Sequence, residues 1–185
     1  YKMNSNNFTI KSQEAIQQAQ QIALGSEHQS IETGHVLKGI LEIDENVTPF
    51  ILKKLGVNIS ILKQTLDSII KSYPKVSGGS QYLSQNTNKA IQKATSLIKE
   101  FGDEYVSIEH LLLGLLAGSD SVAQLLKDNG VKEKEMKAAI NELRKGEKVT
   151  SQSQEETYNS LNKYAKNLNE LAKENKLDPV IGRDE

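Results

Sequence analysis

Three histidines, His28, His35 and His110, are the side chains in this sequence best suited to bind a metal or move a proton near neutral pH. No His-Glu-x-x-His run accompanies them. The chain has no cysteine, which removes thiolate metal sites, disulfides and cysteine nucleophiles together. His35 and His110 occupy matching places in a longer repetition, so capping and packing are the roles expected of them. Serines are many, yet none sits in a Gly-x-Ser-x-Gly elbow, and no Gly-x-x-x-x-Gly-Lys-Ser/Thr phosphate loop occurs. These absences point away from catalysis and from ATP hydrolysis by this chain, and toward binding.

Three further polar residues stand where local structure already has a use for them. Thr9 precedes a helical pattern and suits an N-cap, worth about 0.5 to 2 kcal/mol. Asp103 follows Gly102 in a turn. Glu109 lies just after Ser107 in the first turn of a helix, where a carboxylate complements the helix dipole. On an exposed first turn its loss would cost little, within about 1 kcal/mol.

The elements that carry these residues come from a duplication. His35-Val36-Leu37-Lys38-Gly39-Ile40-Leu41 returns 75 positions later as His110-Leu111-Leu112-Leu113-Gly114-Leu115-Leu116. Ala15-Ile16-Gln17 is matched at the same offset by Ala90-Ile91-Gln92, and Gly56-Val57 at an offset of 74 by Gly130-Val131. Such a register identifies a tandem repeat.

In the first repeat, Ala15, Ile16, Ala19, Ile22 and Ala23 mark a helix that ends at Gly25. Thr33 is placed to cap the second helix, Pro49 to open a short third, and Ile61, Leu62, Leu66, Ile69 and Ile70 to face inward from a fourth. Lys75 to Ser80 reads as a flexible link, and a second set of four helices starts at Ser84. No strand pattern competes. The fold expected is all-α, two pseudo-symmetric four-helix repeats (about 8–73 and 82–146) sharing a core, since one repeat alone is marginal in size. After them come an exposed linker at 147–157 and one amphipathic helix carrying Leu161, Tyr164, Leu168 and Leu171.

Composition agrees with a water-exposed domain. The chain has 185 residues, 37% of them hydrophobic and 25% charged, with a net charge of -1. Lys and Glu interleave, as in Lys132-Glu133-Lys134-Glu135, so no basic face for nucleic acid or anionic lipid is expected. No apolar run approaches the roughly 20 residues of a membrane span. A cytoplasmic setting is expected.

The double repeat resembles the Clp N-terminal (Clp R) domains. Leu161-Asn162-Lys163-Tyr164-Ala165 through Leu177-Asp178-Pro179-Val180-Ile181-Gly182-Arg183-Asp184-Glu185 is similar to the segment leading into the first AAA+ module of the Clp unfoldases. The resemblance divides the chain into residues 1–146, a linker, and the start of that module at 158–185. Gly78-Gly79-Ser80-Gln81-Tyr82-Leu83 and Asn162-Lys163-Tyr164 favour the ClpB-type disaggregases within the family.

That resemblance implies a binding module for unfolded or aggregated proteins, serving a homohexameric motor that uses ATP and magnesium and works with a DnaK-type chaperone. It implies substrate handling by Thr9, Asp103 and Glu109, which would rim a shallow apolar groove near the seam between repeats. It also implies that Val180 and Ile181 contact nucleotide, in the full-length protein only. The alternative is an adaptor-docking domain of a ClpC-type unfoldase, whose members carry a Thr-Glu-His turn in both repeats. Here the first turn is Thr33-Gly34-His35, and only the second, Ile108-Glu109-His110, has the glutamate. This favours the ClpB-type reading.

Overall fold

Side-chain caps open four of the helices, at Thr9 and Ser84 as the sequence leads one to expect, and also at Asn58 and Asp120. Thr9 accepts the Ser12 amide at 3.2 Å, Asn58 that of Ile61 at 3.1 Å, Ser84 that of Thr87 at 3.1 Å and Asp120 that of Ala123 at 3.0 Å. Each satisfies a donor that the first helical turn leaves unpaired. In the computed structural model, residues 7–76 and 78–158 are described. Their elements in chain order are α1 (Ile10–Gly25), β1 (Ser30–Ile31), α2 (Thr33–Ile43), α3 (Val47–Lys54), α4 (Ile59–Lys71), β2 (Tyr82–Leu83), α5 (Gln85–Phe101), α6 (Ile108–Leu116), α7 (Ser121–Asp128) and α8 (Glu133–Arg144). Residues 154–158 add a short helical turn. Two four-helix repeats are therefore present, as expected.

Each repeat is built around its second helix. α6 is apolar on nearly every side and buried from Ile108 to Leu116, the signature of a helix with no solvent face. α2 is its counterpart, with Val36, Leu37 and Ile40 inside. α1 lies across α2 and α5 across α6, at contacts that need glycine. A Cβ on Gly39 would stand 2.5 Å from the Ala15 carbonyl oxygen, and one on Gly114 would be driven into that of Ala90. One continuous apolar core runs through both repeats, with α3 packed on α8 and α4 on α7.

The expectation of no strands is corrected. β1 and β2 pair in parallel, Ser30 with Tyr82 and Ile31 with Leu83. A single parallel bridge joins Phe8 to Val106. With the 75-residue offset, Leu83 corresponds to Phe8 and Val106 to Ile31, so the two pairings are one contact made twice, reciprocally between repeats. Two-residue strands carry no alternating pattern to read. They form because buried amides and carbonyls flanking the helix starts need partners.

Other local differences have similar causes. Glu32, not Thr33, is the N-cap of α2, and the Thr33 hydroxyl instead donates to Asp120 Oδ2 at 2.7 Å, across the seam. Ile61 faces solvent, because it lies off the stripe of Leu62, Leu66 and Ile70 that α4 buries. The 75–80 link is tied by the Val76 amide to the Glu27 carbonyl (2.9 Å) and by Gln29 to the Ser80 carbonyl (3.1 Å).

Residues 147–157, expected as an exposed linker, instead fold back onto the second repeat. Val149 and Glu155 are fully buried. The Val149 carbonyl accepts the Glu104 amide at 2.7 Å, and the Gln152 carbonyl accepts the Ile10 amide at 2.8 Å. A polar stretch can be buried when the surface receiving it is polar too. The expected helix over Leu161 to Leu171 lies outside the described residues, as do Val180 and Ile181.

Candidate functional site

The reciprocal pairing sets the N-terminus of α1 beside that of α6, and so gathers Thr9, Asp103 and Glu109 into one cluster. Their placement differs from the expected groove rim. Thr9 and Glu109 have no exposed surface, and the Asp103 side chain is likewise inaccessible.

Asp103 follows the left-handed Gly102 (φ 70°), whose turn aims the carboxylate back under α6. Its Oδ1 accepts the Val149 amide at 2.9 Å and Arg144 Nη1 at 3.1 Å. Its Oδ2 meets His110 Nε2 at 2.7 Å. The ring's Nδ1 accepts the Ser107 amide at 2.8 Å, which leaves the proton of a neutral imidazole on Nε2, facing Asp103. Burial alone would raise the Asp103 carboxyl. The His110, Val149 and Arg144 contacts more than reverse that and hold it below the usual range.

Glu109 Oε2 accepts Arg144 Nε at 3.0 Å, and the guanidinium lies 5.2 Å from the centre of the Phe101 ring. The Thr9 hydroxyl donates to Glu155 Oε2 at 2.6 Å, and the Ile108 amide donates to the same oxygen at 3.0 Å. Tyr158 is buried beside them, where burial and the Glu109 charge push its phenol up. The cluster thus holds three carboxyl groups against one guanidinium.

Arg144, Glu155 and Tyr158 escaped the sequence reading. Arg144 had a signal, since it sits one helical turn after Ile140 in the stripe Met136, Ala139, Ile140, Leu143. A charge at that register has to find a partner. Glu155 had none, because Glu155-Glu156 reads as a solvated pair.

The first repeat carries a different set of side chains on the same frame. His28 stands where the second repeat has Asp103, and Gly34 where it has Glu109. His28 Nδ1 lies 2.8 Å from His35 Nε2, and His35 Nδ1 accepts the Glu32 amide at 2.9 Å. That chain of bonds places the His35 proton on Nε2, donated to His28. Tyr73 packs on both rings, at 5.7 and 5.2 Å. Its hydroxyl fills the space beside Gly34, 2.5 Å from where a Cβ would be, so a glutamate there would require Tyr73 to shift. His28 and His35 therefore pack and cap. No group of three or more metal-ligating side chains occurs among the described residues.

Burial, with the charges of His28 and Lys38, lowers His35 to about 4, below its ordinary 6.5. The unfolded chain binds this proton first, so stability is complete above pH 6.5 and falls as pH drops toward 4. A loss of ~1–3 kcal/mol is expected over that window. His28→Gln, whose carbonyl can accept from a charged His35, should flatten the fall in urea melts. An identical slope in parent and variant would rule the pair out as its source.

Several large apolar side chains remain on the surface, namely Ile10, Leu24, Ile61, Val76 and Tyr82. Leu24 and Val76 line a pocket of about 240 Å³ beside the link between repeats. A larger cleft of about 370 Å³, bordered by Lys89, Lys93, Leu115 and Asp120, opens at the seam. No helix of the described residues is long and apolar enough to cross a membrane.

Comparison with known proteins agrees with this architecture. The model of the Clp repeat (R) N-terminal domain matches residues 7–129. The chaperone protein ClpB of Bacteroides thetaiotaomicron is 57% identical over 183 residues, 99% of this chain, which spans 21% of that relative's length. The N-terminal domain of Hsp104 from Candida albicans superposes with a TM-score of 0.69 at 19% identity, covering 80% of this chain and 97% of that one. A ClpV N-domain in complex with a VipB peptide superposes with a TM-score of 0.61 at 18% identity, covering 73% and 85%. The chain belongs to the Clp repeat N-terminal domain family, with ClpB as a relative matched along nearly its whole length.

Proposed function

We propose that this chain is the client-binding N-terminal domain of a ClpB-type disaggregase. It engages exposed apolar segments of unfolded or aggregated proteins and passes them to a cytoplasmic, homohexameric threading motor. That motor takes ATP and magnesium and cooperates with a DnaK-type chaperone through modules outside this chain. The observation that carries this reading is the 57% identity to a ClpB over 99% of the chain. The surface supports it physically. Scattered aliphatic side chains around shallow pockets hold many sequences weakly, because apolar burial is non-directional and association costs consume most of the gain.

Tyr73, filling the place of a first-repeat glutamate, weighs against the ClpC-type alternative. Thr9, Asp103 and Glu109 act in client handling by fixing residues 147–158 against the repeats. The 185-residue chain should bind a permanently unfolded, alkylated reporter weakly, and the binding should survive salt of about 1 M, at which charge interactions are screened within ~3 Å. Binding abolished by that salt would overturn the apolar mode.

A further inference from the structure

Residues 147–158 lie over the N-terminal end of α6 as a strap, fastened by main-chain bonds at Val149 and Gln152 and by the buried side chains of Glu155 and Tyr158. The fastening is uneven. Glu155 brings a carboxyl into a site that already sets Asp103 and Glu109 against the single Arg144. Five buried side-chain nitrogen or oxygen atoms among the described residues make no hydrogen bond, and four are here: Glu109 Oε1, Arg144 Nη2, Glu155 Oε1 and Tyr158 Oη. Each such atom is buried without the hydrogen bonds that water would give it, and lifting the strap returns them to water. Two of the four belong to the strap and the other two, on α6 and α8, lie beside it, while the fifth, His28 Nε2, is in the first repeat, so the strap is the segment positioned to open on its own.

We propose that residues 147–158 are a detachable strap, latched by the Glu155 carboxyl, that lifts while the eight helices stay folded and uncovers a face able to take another extended polypeptide in its place. The face already binds an extended segment through the Ile10 and Glu104 amides. A segment with an uncharged residue at the Glu155 position would seat there without a third carboxyl. This rests on the client-binding reading only for the identity of the incoming polypeptide.

The groups that face Glu155 are the Thr9 hydroxyl before α1, the Ile108 amide and Glu109 on α6, and Tyr158 on the strap itself, which in turn faces Arg144 on α8 and Asp103 with His110 behind it. Burial, then the Glu109 charge, pushes the carboxyl up to about 8, against the bonds from Thr9 and Ile108. The seated strap keeps a proton that the lifted strap gives up near 4.5. The latch is therefore at full strength below pH 4.5 and weakens as pH rises through 8.

Amide exchange on the 185-residue chain tests this at pH 6 and pH 9, with Glu155→Gln and Glu155→Lys beside the parent. In the parent, protection at Ile10, Glu104 and Val149 should fall by about tenfold or more at the higher pH after correction for intrinsic rates, with α2 and α6 unchanged. Glu155→Gln should keep its protection at both pH values and Glu155→Lys should lack it at both. A synthetic peptide of residues 147–158 carrying Gln at position 155 should bind the Lys variant at least about tenfold more tightly than the Gln variant.

Loss of α2 and α6 protection in step with the strap, equal pH dependence in parent and Glu155→Gln, or equal peptide binding by both variants would each overturn the proposal. If Glu155→Lys does not fold, the parent and Glu155→Gln comparison decides by itself. A reporter that binds none of the three proteins would refute the client reading and leave the strap result standing.

Discussion

Arg144→Ala is expected to remove about 3–5 kcal/mol from the stability of the domain, because it leaves Asp103 and Glu109 buried without the guanidinium that pairs both. A domain of this kind has roughly 5–15 kcal/mol in all, so the variant should lose a large share of its stability and unfold at a much lower denaturant concentration. Glu109→Ala should cost less, about 1–3 kcal/mol, since Arg144 keeps Asp103 as a partner. That ordering follows from the two-to-one arrangement around the guanidinium. Replacing Glu109 and Arg144 together by methionine should recover part of the loss, because a buried ion pair stabilises little beyond a well-packed apolar pair. Chemical denaturation of the three variants checks the series. An Arg144→Ala midpoint equal to the parent's would show that the cluster is solvated and the guanidinium dispensable.

Gly114→Leu is the second large effect. The α5–α6 crossing leaves no room for any Cβ at Gly114, where the obstruction is the Ala90 backbone and not a side chain that can turn away. Overpacking of this kind costs about 1–3 kcal/mol when neighbours adjust, and backbone adjusts least, so the upper end or beyond is expected. Gly39→Leu should behave alike, against the Ala15 and Ala19 backbone. Thermal unfolding decides; a midpoint at or above the parent's for either variant would mean that the crossings are looser than their geometry.

The helices, the caps at Ser84 and Thr9, and the duplication were legible because each rests on local periodicity and on single residues. The shared core was legible from size alone. What the sequence hid were interactions between elements far apart in the chain. Arg144 to Glu109, Thr9 to Glu155 and Val149 to Asp103 join residues 35 to 146 positions apart, and nothing local marks them. Glu109 shows how this misleads: its place in a first helical turn suggests an exposed dipole partner, yet α6 carries apolar residues on every side and takes its first turn inside with it. The fold of α6 was readable, and its depth was the sum of all its neighbours. The three polar residues lie together in one buried cluster and not on the groove rim that the resemblance implied.

The reciprocal pairing of Phe8 with Val106 and of Ile31 with Leu83 has a consequence for how the domain is made. A chain leaving the ribosome N-terminus first presents the whole first repeat with Phe8 and Ile31 both unpaired. Ile31 finds its partner when Leu83 emerges, and Phe8 must wait for Val106. The Phe8 segment is thus fixed late, and during that interval it is an open end that the Val106 segment of another copy can match. Duplication gave the domain its symmetry, and the exchange between copies ties completion of the first repeat to synthesis of the second.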